Sequence, residues 1–406
     1  MIEPRPNGRA MRTGTSIAVI GGGIGGLSAA LCLLKAGFDV HVYEQARALG
    51  EIGAGINISP NASRILHRLG IGEALTRTGV RPVTFDQRRW DDGRLLLRAP
   101  LGEVVERGFG APYYTFHRAD LHGAIADTIA PERVHLAHRF THLVDRGDAV
   151  EAHFENGKSI SADVLIGADG IHSPVREALF GTDAPHFTGC IAYRGLVAAD
   201  RLAHLGLERT TQIWMGPGGH FIHYFVSDGR FVNFVGVNEE DSWQRESWID
   251  RAEVKDALAA YAGWHPQVLS IIGAAHETYK WGLFDRTPLP RWSVGRVTLL
   301  GDSCHPMLPF MGQGAAMAIE DAAALKTCLL ELAGDVPAAL RRYERQRLPR
   351  ATRLQAMSAE NKARFHMPDG PAQRERDAEM ARGATDWSLA VIAWLYEHDA
   401  EVVDGH

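Results

Sequence analysis

Cysteine is scarce: four in 406 residues, Cys32, Cys190, Cys304 and Cys328, scattered with no CxxC pair. That spacing argues against a zinc ribbon, a thioredoxin-like centre and a secreted disulfide framework, and it points to a reducing cytoplasm. No apolar run approaches the roughly 18 residues of a membrane span. The first apolar run, residues 16–20, reads as a strand rather than as the core of a signal peptide. A net charge of −6 gives no reason to expect nucleic acid or an acidic membrane as partner. Internal repeats and low-complexity tracts are absent as well.

What is present is the ordinary composition of a globular protein, 45% hydrophobic and 23% charged. Single cores stop growing at about 250 to 300 residues, so this length predicts more than one structural unit. Residues 1–14, with Pro4, Pro6, Asn7 and Gly8, read as a disordered leader, and Met11 offers an alternative start.

The most informative stretch follows. Residues 16–20 run into Gly21-Gly22-Gly23-Ile24-Gly25-Gly26 and then an alanine- and leucine-rich segment that stops at Gly37, which reads as strand, tight turn, helix. Gly21 allows the turn, Gly23 lets the backbone approach a pyrophosphate, and Gly26 lets helix and strand pack closely. Phosphates then meet free N–H groups at the helix N-terminus. A second strand over 38–43 ends at Glu44, near the distance at which an acidic residue accepts from ribose hydroxyls. With strand, helix, second strand and Glu44 in register, a dinucleotide site outweighs the blander reading of a glycine-rich corner.

Further along, residues 49–61 are too glycine-rich for a helix, and Gly50, Gly53 and Gly55 suggest a loop lying close against a planar ligand. Alternation over 82–97 around Asp91-Asp92-Gly93 predicts two strands. A helix opens at 117–121, and Arg118 in its first turn sits poorly with the helix dipole unless an anion is near. Residues 164–166 form a buried strand that delivers GADGIHSPVR. From 188 to 279 aromatic residues and alternation dominate, which predicts an antiparallel sheet with one intervening helix over 251–261. A buried strand over 296–300 delivers Gly301-Asp302, a long helix starts near Gly314, and another runs from about Val336. The basic run Arg341, Arg342, Arg345, Arg347 and Arg350 reads as a solvated helix face. His305 beside Cys304 suggests a nucleophile pair or metal ligands at first sight. With no partner cluster at metal spacing it reads as a structural histidine, and no metal is expected.

Three motifs thus stand in one order: GxGxxG with Glu44, Asp169-Gly170, and Gly301-Asp302 in GDSCHPMLPFMGQGAAMAIEDA. Together they resemble the flavin-dependent aromatic hydroxylases of the para-hydroxybenzoate hydroxylase fold, over nearly the whole chain. The strings GAGINISPN, HFIHY, FDRTPLPRW and the tail FHMPDGP with WLYEHDA are most similar to the branch containing salicylate 1-hydroxylase, 3-hydroxybenzoate 6-hydroxylase and 6-hydroxynicotinate 3-monooxygenase. The resemblance implies an α/β (α+β) fold, a Rossmann-like FAD-binding domain with an inserted antiparallel-sheet substrate domain and C-terminal helices. Residues 15–81, 115–187 and 282–365 would form the FAD domain, 82–114 and 188–281 the substrate domain, and 366–406 a C-terminal segment.

It further implies FAD as cofactor and NADH or NADPH as co-substrate, in a monomer or homodimer. Gly21, Gly23 and Gly26 would hold the pyrophosphate, Glu44 the adenosine ribose, and Arg118 the phosphates, with Phe140 near the adenine and Gln45 also binding the cofactor. Asp169 would serve both FAD and NAD(P)H, and Asp302 the ribityl chain. Gly314 and Ala315 would face the flavin ring at a helix N-terminus, where a positive helix end stabilises negative charge on reduced flavin. The branch places the histidine and tyrosine of HFIHY over the flavin. Here they are His220 and Tyr224, spaced i and i+4 and so on one sheet face, with His223 pointing the other way.

The expected reaction is flavin reduction, oxygen addition to give a flavin hydroperoxide, and attack on an electron-rich ring, with His220 and Tyr224 removing a phenolic proton. Asn57, Pro309 and Phe310 would border the substrate. Asn57 and Phe310 stand where the hydroxynicotinate enzyme carries histidines, and Pro309 where the 3-hydroxybenzoate enzyme carries glutamine. These departures favour a salicylate-like small aromatic acid. A non-catalytic FAD-binding sensor is the reading of another class; a halogenase lacks its WxWxIP signature, and a disulfide reductase its CxxC.

Overall fold

A computed structural model describes residues 14–50, 55–241, 251–383 and 389–402. The proposed leader therefore lies outside the described residues apart from Gly14, and so does Gly53.

Ser16–Ile20 is the central strand of a six-stranded sheet because its β-branched run is buried on both faces. It pairs in parallel with Asp39–Tyr43 on one side and Val164–Gly167 on the other, with Ile17 opposite both Val40 and Val164. Val297–Leu299 extends the parallel set, and short strands at Val134–His135 and Ser293–Val294 finish the edges. Helices Ile24–Lys35 and Gly314–Glu331 pack with this sheet into the largest core. All three predicted motifs leave the carboxyl ends of these parallel strands, where ligands of open α/β sheets bind.

The second sheet has eight strands, in the order Arg251–Ala252, Thr278–Asp285, His186–Ala198, Phe231–Glu239, Gly219–Val226, Thr211–Gly216, Thr84–Arg89, Leu95–Pro100. Only Thr211–Gly216 and Thr84–Arg89 run in parallel. The sheet reaches a few residues beyond the expected 188–281, since His186 pairs with Asp285. A two-stranded ribbon, Gly55–Ile58 with Tyr114–His117, packs against strand Gly219–Val226 and helix Gly314–Glu331.

Three local expectations are corrected. Gly55–Ile58 is a strand rather than loop, because Tyr114–His117 supplies it with backbone partners. The helix expected over 251–261 is a short strand followed by Val254–Ala260, and a second helix, Pro266–Gly273, follows. The signal for that second helix is Pro266 at its first position, with the His265 ring accepting from the Gln267 amide. The arginine run does not form one solvated face. On helix Val336–Phe365, Arg341 and Arg345 are exposed, but Arg347 is 1% exposed and Arg350 half-buried. Positions 343, 347, 351 and 354 share the stripe that packs inward, so the helical period carries Arg347 into the core.

Arg347 is matched there. Its Nε donates to Asp321 Oδ1 at 2.7 Å and its Nη1 to Glu320 Oε2 at 2.5 Å. Arg350 makes two bonds to Glu320, and Asn61 Nδ2 donates to Glu320 Oε1 at 2.6 Å. Two carboxylates thus face two guanidiniums, which offsets the cost of burying them. The C-terminal segment is tied to the same body through Arg68, whose guanidinium bonds Asp399 and Glu401. Among the described residues no helix is long and apolar enough to cross a membrane.

Candidate active site

One cavity of about 890 Å³ runs from the glycine turn to the eight-stranded sheet. At its first end Gly21 has φ +107°, and a Cβ there would lie 2.3 Å from the Ala168 carbonyl oxygen. A Cβ on Gly26 would lie 2.0 Å from the Gly21 oxygen, so this corner closes only with glycine at both positions. Gly23 caps helix Ile24–Lys35 without a side-chain acceptor, and Gly23, Ile24 and Gly25 line the cavity. First-turn amides at such a place form a ready anion site. Glu44 is held under the turn, its Oε2 accepting from the Gly22 amide at 2.6 Å and Oε1 from Ala46 at 2.7 Å. Gln45 and Phe140 continue the wall.

Midway, Arg118, Asp169 and Asp302 converge from three elements. Burial lowers the pKa of Arg118, and Asp302 partly restores it. Arg118 opens helix Arg118–Ala126, so a guanidinium and a positive helix end meet at one place, an arrangement that suits an anion. Burial pushes Asp169 up to about 6 against hydrogen bonds from Ser173 Oγ and the Val175 amide. Beyond them helix Gly314–Glu331 points its N-terminus at the cavity, with Gly312 at φ +62° and with Gly314 and Ala315 on the wall. The cradle, the cation beside the helix end and the second helix N-terminus fit FAD.

The far end belongs to the sheet. His220, Ile222 and Tyr224 alternate onto the cavity face of Gly219–Val226, and His223 faces away. His220 is 4% exposed, and burial holds its pKa well below the usual imidazole range. Its ring meets Phe310 edge-on at 5.1 Å, which ties it to the turn Pro309–Met311 before helix Gly314–Glu331. Burial raises the Tyr224 phenol, so it is a neutral donor. Gly55 is required opposite it: a Cβ there would lie 2.6 Å from the Tyr224 ring. Asn57 also lines this end, and its Oδ1 is buried with no hydrogen-bond partner among the described residues. Gly50, by contrast, has open space around it.

Every predicted site residue except Gly26 lines this one cavity, and Gly26 lies behind the turn that shapes it. The sequence reading missed Tyr113, Phe365 and Tyr396, which also line it, and His366, whose Nε2 lies 2.8 Å from His220 Nδ1. The tail strings FHMPDGP and WLYEHDA contain three of these four, but nothing local in them shows which side chains reach a strand more than a hundred residues away. Cys304 and His305 stand apart from the cavity wall. His305 Nε2 lies 2.5 Å from Asp321, whose other oxygen accepts from Arg347, and burial raises the Cys304 thiol far from thiolate. The Cys304, His305 and Asp321 ligand atoms lie within 4.8 Å of one another, but the carboxylate is already shared.

The family described as FAD binding domain matches residues 14–358. The chain is 45% identical over 387 residues to 3-amino-4-hydroxybenzoate 2-monooxygenase of Streptomyces platensis, covering 95% of this chain and 97% of the relative. It is 41% identical over 350 residues to 6-hydroxynicotinate 3-monooxygenase of Bordetella bronchiseptica, covering 85% and 91%. Among solved structures, Klebsiella pneumoniae HpxO complexed with FAD and uric acid has a TM-score of 0.83 at 29% identity over 94% of this chain and 95% of that one. A salicylate hydroxylase substrate complex gives 0.82 at 27%, covering 97% and 99%.

Proposed function

We propose, since the chain belongs to the FAD binding domain family and its relatives are monooxygenases of aromatic acids, that it hydroxylates a benzoate bearing hydroxyl and amino groups, of the 3-amino-4-hydroxybenzoate kind. The observation that carries this reading is the junction of the two cavity ends: a buried, neutral His220 facing the same space as the cofactor cradle. When bound and reduced by NADH or NADPH, FAD supplies the activated oxygen.

The chain's own residues do the rest. The ring needs an electron-donating hydroxyl or amino group, and the proton of that group must leave as the new C–O bond forms. His220 Nδ1 is committed to His366, so Nε2 is the nitrogen left for the cavity and accepts that proton. Tyr224 donates to the ring's oxygen substituent, and Asn57 Oδ1 takes an N–H or O–H of the substrate. The amide acceptor is what favours an amino-bearing ring. Among the described residues no lysine lines the cavity, and Arg118 and Arg139 lie at the cofactor end. The substrate carboxylate therefore falls to neutral donors such as Tyr113 and Tyr396. The apolar wall of Phe310, Phe365 and Ile222 excludes water and so protects the activated oxygen.

The test is NADH and NADPH consumption by FAD-loaded protein with 3-amino-4-hydroxybenzoate, 6-hydroxynicotinate, 3-hydroxybenzoate and salicylate, with products identified by mass. Gain of one oxygen on the aminohydroxybenzoate supports the proposal. Catechol from salicylate with loss of carbon dioxide would move the substrate to the reading that Pro309 and Phe310 suggested. FAD binding without stimulated oxidation by any acid would favour the sensor.

A further inference from the structure

The cavity histidine does not end in the core. His220 Nδ1 lies 2.8 Å from His366 Nε2, and His366 Nδ1 lies 3.2 Å from Glu239 Oε1. The exposure changes along this line: His220 and His366 are each 4% exposed, whereas the Glu239 side chain is 48% exposed. We propose that His220, His366 and Glu239 form a proton wire that carries the substrate's proton from the cavity to the surface. The inference rests on the assignment of His220 as the proton acceptor and adds where the proton goes.

The geometry gives the wire a direction. A carboxylate only accepts, so His366 Nδ1 carries the hydrogen toward Glu239. Its Nε2 is then an acceptor, which places the hydrogen of His220 on Nδ1 and leaves His220 Nε2 as the acceptor toward the cavity. One shift then balances. The substrate O–H or N–H proton moves to His220 Nε2, the Nδ1 proton of His220 moves to His366 Nε2, and the Nδ1 proton of His366 moves to the Glu239 carboxylate. Both imidazoles finish neutral in their other tautomer, and the reverse shift, protonating the product before release, restores them.

The surroundings favour conduction over storage of charge. Burial lowers the pKa of both rings, His366 to about 4, with Glu239 pulling it back up. The groups facing His366 are His220 on Gly219–Val226, Glu239 on Phe231–Glu239, and Lys362 in the last turn of helix Val336–Phe365. The phenylalanine rings of Phe310 and Phe365 meet His220 edge-on at 5.1 and 5.3 Å. His366 also fixes the hairpin, because its carbonyl accepts from the Gly218 amide, so a purely structural role is the competing account.

Two variants separate them. His366→Gln keeps a donor and an acceptor but cannot relay a proton, and Glu239→Gln changes only the partly exposed end. Both should keep FAD content, thermal midpoint and KM. Measured in single turnovers with 3-amino-4-hydroxybenzoate, hydroxylation should slow about 10²-fold in the first variant and about tenfold in the second. The rate should also become steeper in pH, because hydroxide must collect the proton. In nitrogen-15 spectra of the FAD-loaded wild type without substrate, both histidines should be Nδ1–H tautomers. An Nε2–H tautomer at His366 overturns the wire, as do variants within twofold of wild type with an unchanged pH profile. Failure of the wild type to hydroxylate any tested acid removes the functional reading itself, whereas normal hydroxylation with indifferent variants removes the wire alone.

Discussion

Two buried histidines, His305 and His220, occupy opposite settings in one chain. His305 stands at the foot of helix Gly314–Glu331 in a set of ionised partners: Asp321, Glu320, Arg347 and Arg350. Positive and negative charges balance there, and each carboxylate accepts from more than one donor. His220 has a neutral partner on one nitrogen and the cavity on the other side. His305 also leaves one nitrogen, Nδ1, buried without a hydrogen-bond partner among the described residues, but it does not line the cavity. A balanced network away from the cavity holds helices in place, whereas one with an open valence facing a cavity can exchange a proton with whatever binds there. Neither a histidine in the core nor an unpaired nitrogen is thus a signal by itself; a nitrogen left open toward the cavity is.

The comparison can be broken at either side. Arg347→Met leaves Glu320 and Asp321 buried with less compensation. It should cost about 3–5 kcal/mol by chemical denaturation; an unchanged midpoint would show that the network holds nothing together. His220→Ala should leave denaturation far less altered but lower hydroxylation about 10²- to 10⁴-fold in single turnovers. Equal turnover would remove His220 from the chemistry.

Acid should separate the two sets in order. The pKa of His366 falls to about 4 from an ordinary 6.5, because burial disfavours the charged ring. Its contribution to stability is complete above about 6.5 and declines as pH falls toward 4, since the unfolded chain binds the proton first. Burial would raise Asp321, but His305 and Arg347 more than offset this and hold it at about 2. Its contribution is complete above its ordinary value of 3.8 and declines as pH falls toward 2. Near-ultraviolet dichroism and hydrogen exchange along a pH series should therefore show the His366 contacts loosening before helix Gly314–Glu331, and the reverse order would contradict the contrast. Tyr224→Phe should have the smallest effect, about tenfold on hydroxylation, the worth of one hydrogen bond. If that variant equals wild type, Tyr224 is packing alone.

Much of this was legible in the sequence. The strand–turn–helix of 16–35 demanded glycine at 21 and 26, and the contacts of those two residues show why. The i, i+4 spacing of His220 and Tyr224 placed both on one sheet face, since a strand alternates strictly. Arg347 was misread because a helical period gives a face but not what covers it. His366 was missed because its partner lies 146 residues away and no local pattern records such a contact. Residues 55–58 looked like loop because their partner strand, Tyr114–His117, lies far along the chain.

The central claim is that the histidine facing the cofactor cradle serves oxygen transfer to an aromatic acid. It is tested most directly by supplying FAD-loaded protein with isotopically heavy oxygen gas, NADH or NADPH, and 3-amino-4-hydroxybenzoate, then weighing the product. One heavy oxygen atom in the ring product, lost with His220→Ala and kept with Tyr224→Phe, is the predicted result. Product from wild type and His220→Ala alike would contradict the role of that histidine, and cofactor oxidation that yields only peroxide with every acid would contradict oxygen transfer.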